Sequence, residues 1–140
     1  MSMLSNGIVK ADKWGFEITE KTNESSFLSS EIKSQVHNLV HNGEYRSYYT
    51  EPNEVCGKVF VFRVCFEKGI LMSIELSPAS NSPSWDNVEK DVLLKEKVAN
   101  DEWLKSNFSI LAPANYSWGT LESVLDKKGG SSSVVMRYRR

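Results

Sequence analysis

The first hydrophobic pattern in the chain has a period of two. In "WGFEIT" (14–19), Trp14, Phe16 and Ile18 alternate with Gly15, Glu17 and Thr19, as in a half-buried strand. The period then lengthens. From Ser26 to Asn42, Leu28, Ile32, Val36, Leu39 and Val40 recur at helical spacing, and Gly43 supplies a stop just past the end, so the spacing predicts a helix over 26–42. "EYRSYYT" (44–50) is aromatic and reads as a strand, and "EPNE" after it as a turn.

The strongest pattern follows. "KVFVFRVCF" and "ILMSIEL" are strand-like runs joined by "EKG", a short glycine-containing connection that predicts a hairpin. Ile70, Met72, Ile74 and Leu76 fall on one side of the second run, with Leu71, Ser73 and Glu75 on the other. The first run is apolar on both sides, which predicts a central strand. "SPASNSPS" (77–84) reads as a loop and "WDNVEKDVLLKEKVANDEWLKSNF" as helical, with a break expected where Asn100 could cap a second, shorter helix from Asp101. "YSWGTLESVL" and "SSSVVMRYR" flank "DKKGGS" as a closing hairpin. Hairpins and helices without a repeating βαβ unit predict an α+β fold, with a mainly antiparallel sheet of about five or six strands and two or three helices.

At 140 residues, the chain has the length of one globular domain, 1–140, able to bury a core without disulfides. A net charge of -1 provides no broad field for gripping nucleic acid, which makes nucleic-acid binding an unfavoured role. The start lacks a cationic and apolar leader, and the longest apolar run is broken by Arg63 and far too short to span a bilayer, so no membrane is implied and a cytoplasmic location is expected. Cys56 and Cys65 match neither a disulfide framework nor a zinc knuckle and are expected to be reduced structural thiols.

"HNLVH" (37–41) raises the question of catalysis. Two histidines four apart on a helix can hold zinc, and the metalloprotease form of the spacing is His-Glu-x-x-His, but Asn38 stands where the glutamate general base would be. On the expected helix, His37 and His41 project roughly 130 to 170° from the apolar centre, toward solvent. The chain has no third histidine to complete a site, and no G-x-S-x-G, Walker or G-x-G-x-x-G motif. Neither a catalytic residue nor a cofactor is therefore assigned. Arg63, on an otherwise apolar strand, must be paired or reach solvent; a structural ion pair and a ligand-binding role both remain open. Of Trp14, Trp85, Trp103 and Trp118, at least one is expected to serve an interface. The segment after the polar loop joins Trp85 to acidic residues, and Trp85, Asp86, Glu89, Asp91, Asp101 and Glu102 are the expected partner-binding residues.

"KWGFEI" and "YSWGTLESVLDKKGGSSSVVMRYR" together resemble small bacterial immunity proteins, the partners of polymorphic and contact-dependent growth inhibition toxins. The resemblance covers about a third of the chain and rests on two Trp-Gly pairs and the closing hairpin. It implies a cytosolic α+β protein that neutralises a cognate protein toxin by direct binding. Because such families engage toxins through different surfaces, it carries no residue role. Two rivals stand beside it: a small metal-dependent or ligand-binding enzyme using His37 and His41, and a regulatory interaction domain.

Overall fold

A computed structural model describes residues 3–79, 90–126 and 131–139. They form an α+β fold around one antiparallel sheet of eight strands: β1 (Val36–Asn42), β2 (Tyr45–Thr50), β3 (Asn53–Val55), β4 (Lys58–Glu67), β5 (Ile70–Pro78), β6 (Ala114–Tyr116), β7 (Gly119–Asp126) and β8 (Ser131–Tyr138). The order across the sheet is β1-β2-β4-β5-β8-β7-β6, with β3 paired to β4 beyond the end of β2. Two α-helices accompany it among the described residues, α1 (Glu24–Leu28) and α2 (Lys90–Phe108). The strand count exceeds the expected five or six because β3 and β6 are three-residue pieces and β1 arises where a helix was expected.

The expected helix over 26–42 is not formed. Asn23 and Ser26 close a reciprocal capping box, but α1 ends at Leu28, and residues 36–42 pair with β2 instead. Val36, Val40 and the His and Asn residues around them are poor helix formers. Gly43, read as a helix stop, lies at positive φ in the tight turn between Asn42 and Tyr45. Three of the residues that gave the helical spacing, Leu28, Leu39 and Val40, are exposed.

The central hairpin forms as expected, but Glu67 belongs to β4, so its connection is two residues rather than the three of "EKG". Lys68 and Gly69, both at positive φ, make a two-residue turn whose twist matches the flanking strands. β4 lies inside the sheet, and Phe60, Phe62, Val64 and Phe66 form its buried face. β5 departs from strict alternation. Cys65 pairs with Ser73 but Phe66 with Leu71, so Met72 is an extra residue; the bulge brings Leu71 onto the face of Ile74 and Leu76 and leaves Ile70 exposed.

Every segment outside the sheet contributes to the core on that one face, among the described residues. Trp103 of α2 packs edge-on against Phe60, Trp14 tilts on Phe62, and Phe27 of α1 packs on Phe66. "WGFEIT" reaches the core without being a strand. Trp14 and Ile18 are buried as expected, but the only pairing here is an isolated bridge from Ile18 to Val9. Helix α2 shows no break at Asn100. That side chain is fully buried and serves tertiary contacts rather than a cap, accepting from Lys58 Nζ (2.8 Å) and donating to Ser132 Oγ (3.1 Å).

The closing hairpin pairs Gly119 with Tyr138 through Asp126 with Ser131; its connection, 127–130, lies outside the described residues. Gly119 is required here. A Cβ at its φ of 155° would fall 1.9 Å from the Arg137 carbonyl oxygen. Trp118 stacks on Tyr116 and donates from Nε1 to the Ser5 carbonyl, while Tyr138 donates to the Gly7 carbonyl, so the N-terminal turn is tied to the last strands.

Two predictions follow from this packing. Phe62→Ala and Ile74→Ala each remove a fully buried side chain from adjacent strands and should cost roughly 2 to 5 kcal/mol, read as a lower urea midpoint. Unchanged midpoints would refute their place in the core. Burial, reinforced by Glu20, raises the Tyr138 hydroxyl well above the ordinary tyrosine value near 10. The folded state therefore holds its proton where the unfolded chain releases it. This contribution is intact below about pH 10 and declines as pH rises beyond it. Tyr138→Phe should flatten the alkaline fall in stability, while costing about 1 kcal/mol at neutral pH for the lost hydrogen bond.

Candidate binding surface

Directly opposed residues of an antiparallel pair share a face, so the register separates the two sides of the sheet. The side opposite the core carries two rows across the central strands. One runs His37, Tyr49, Arg63, Glu75, Val135 and Glu122; the next runs Val40, Ser47, Cys65, Ser73, Arg137 and Thr120. The main core cluster includes no residue of these two rows.

Its chemistry centres on Arg63. The guanidinium donates from Nη2 to Tyr45 Oη (3.4 Å) and lies 4.0 Å from a Glu75 carboxylate oxygen, while its Nε, itself buried, has no partner among the described residues. Both sequence readings of Arg63 meet here: it is paired, but loosely, with donor capacity to spare. Tyr45 in turn donates to Cys65 Sγ (3.5 Å), a contact that together with burial raises the tyrosine above its ordinary value. Across the face, Arg137 Nε sits 3.8 Å from Glu122. Both ion pairs are long and partly exposed, so each holds its arginine weakly.

The expected partner residues lie elsewhere. Trp85, Asp86 and Glu89 fall outside the described residues, and Asp91 is on α2 with its side chain outside the description. Asp101 and Glu102 are on α2, which covers the core side; Asp101 is paired with Lys97 at 3.0 Å and Glu102 is exposed. Leu94 and Val98, one turn apart and each 53% exposed, add an apolar ridge to the outer side of this helix. The described helix balances Lys95, Lys97 and Lys105 against Glu96, Asp101 and Glu102, so no acidic excess is seen there. Trp14, Trp103 and Trp118 are all core residues whose indole N–H groups find acceptors.

The histidines are separated by a bulge. His37 pairs with Tyr49 and His41 with Arg46, but the register slips at Leu39, which sends the imidazoles to opposite faces. His37 stacks on Tyr49, 3.9 Å from Glu51, and His41 packs edge-on against Tyr48. No group of metal-ligating side chains occurs among the described residues. Both cysteines are free: Cys65 is buried, and at Cys56 burial and the Asp12 carboxylate raise the thiol, disfavouring the thiolate.

A cleft of about 380 Å³ also opens beside α1, lined by Phe16, Thr19, Lys21, Thr22, Ser26 and Phe27 among others. Its hydroxyls are largely occupied locally: Thr22 Oγ1 accepts from the Thr19 amide, and Ser26 completes the cap of α1. No helix among the described residues is long and apolar enough to cross a membrane. Comparison with protein-family models, curated proteins and solved structures finds no match for the chain.

The sheet face, unlike the helix, was not singled out from sequence. Its signal was present in Arg63 on a central strand and in "EYRSYYT", but only the register shows that Tyr45, Tyr49 and Arg63 share a side. Replacing both His37 and His41 with alanine should change the thermal midpoint little, because both are exposed and lack a shared ligand. Stoichiometric zinc in the purified parent, lost in the double variant, would overturn this.

Proposed function

We propose that this chain is a non-catalytic protein-binding module, an immunity protein that neutralises a cognate bacterial toxin by direct contact in the cytoplasm. The observation that carries the binding role is the sheet face: Tyr49, Arg63 and Arg137 project from hydrogen-bonded strands around buried Val135 and Cys65. Tyrosine and arginine are the residues interfaces favour, and a backbone held by its ladder loses little freedom on binding. The loosely paired arginines can exchange Glu75 and Glu122 for acceptors on a partner. A toxin as that partner rests on the resemblance of the two Trp-Gly pairs and the closing hairpin to immunity proteins, and those tryptophans serve the fold rather than the interface.

The outer side of α2, with Leu94 and Val98 beside Asp101 and Glu102, is the second surface suited to the role, an apolar centre with a charged rim. Co-expression with the toxin encoded by the adjacent gene tests the function, and paired variants assign the face. The parent should protect cells and bind the toxin. Arg63→Ala combined with Tyr49→Ala should weaken binding by roughly tenfold or more, chiefly through faster dissociation, while Leu94→Ser with Val98→Ser should not. The reverse result would move the interface to α2. A parent that neither binds nor protects would remove the immunity function.

A further inference from the structure

The two edges of the sheet are treated differently. On one side β6 is only three residues long and directly follows Pro113, and the part of β7 beyond it carries Glu122 and Asp126. Short strands, proline and charge are the usual means of keeping an edge from pairing. At the other edge, β1 runs seven residues, "VHNLVHN", with no Lys, Arg, Asp, Glu or Pro. All of them but Val36 are exposed, and no further strand pairs with β1 among the described residues. Both imidazoles are drawn onto the tyrosines of β2, away from the outer edge. We infer that β1 pairs antiparallel with β1 of a second copy, joining two sheets into one across a two-fold axis.

The bulge limits the register. Val36, Asn38 and His41 share the core side while His37, Val40 and Asn42 share the other, so opposed residues match faces when Val36 meets His41 and His37 meets Val40 of the second copy, or when His37 meets Asn42 and Asn38 meets His41. In either register the bulge of each copy lies near the centre of the pairing. A second copy suits this edge because β1 carries no Lys, Arg, Asp or Glu, so none of these opposes its like across the pairing. In neither register does a histidine face another histidine. The contact is smaller than a standard interface, and assembly is therefore a concentration-dependent equilibrium.

The test is sedimentation equilibrium of the full chain over a wide concentration series at neutral pH. The parent should move from 15.9 kDa toward twice that mass as concentration rises, with slowed amide exchange in residues 36–41. Val40→Lys, at an exposed site, should stay monomeric with an unchanged far-ultraviolet spectrum and thermal midpoint. Val59→Lys, at an equally exposed valine of β4 away from this edge, should dimerise like the parent. A parent that is monomeric throughout overturns the inference, including the case in which Val40→Lys instead weakens capture of a toxin and so assigns the edge to that partner. A dimer that survives Val40→Lys, or is lost equally in Val59→Lys, overturns it too. Loss of toxin protection by the sheet-face variants leaves this result unaffected, so the two readings fail separately.

Discussion

Phe60, Phe62, Val64 and Phe66 stand in one row on β4, and nothing within the sheet can cover them. A sheet that buries only one face needs a second layer as wide as itself, and a single long helix is too narrow for a sheet of this breadth. The chain meets this need from three places. Helix α2 brings Trp103 to Phe60, the N-terminal segment brings Trp14 to Phe62, and α1 brings Phe27 to Phe66. Much of the second layer is therefore irregular backbone, fixed by its aromatic side chains and by hydrogen bonds such as Trp14 Nε1 to Asn53 and Trp103 Nε1 to the Val55 carbonyl.

This division explains which parts of the fold were legible in the sequence. The central and closing hairpins carry their own signals in the sequence, apolar runs on either side of a glycine-containing connection, settled by neighbours close in the chain. The segment 26–42 carries a helical spacing that tertiary pairing overrides. Its Gly43 is equally a helix stop and a hairpin turn, and only the availability of Tyr45–Thr50 as a partner decides between them. Asn100 misleads for the same reason. As a local signal it caps a helix, but inside the fold it bridges Lys58 and Ser132, and satisfying two polar groups there favours an unbroken helix.

The candidate surface was harder to read, because a face is a property of register rather than of spacing. One bulge at Met72 moves Leu71 into the core, and another at Leu39 separates two histidines that the sequence had set on one side of a helix. Each is a single-residue shift, which inverts every face assignment beyond it. The Trp-Gly pairs show a related limit. Trp118 and Gly119 are constrained by ring packing and by the close approach of Arg137, so this Trp-Gly pair answers to what the closing hairpin needs to fold.

That surface follows from the same constraint as the core. Because the second layer packs on the phenylalanine side of β4, the other side of the same strand lends no residue to the main core cluster. Arg63 alternates with Phe62 and Val64, so rigidity imposed by the core passes through one backbone to the guanidinium on the far side. A flexible loop could present the same arginine only at a cost in order on binding, whereas here the ordering is already complete when the sheet forms. Core and candidate site are thus two faces of one set of strands, and a change that loosens the first should be felt at the second even where no side chain connects them.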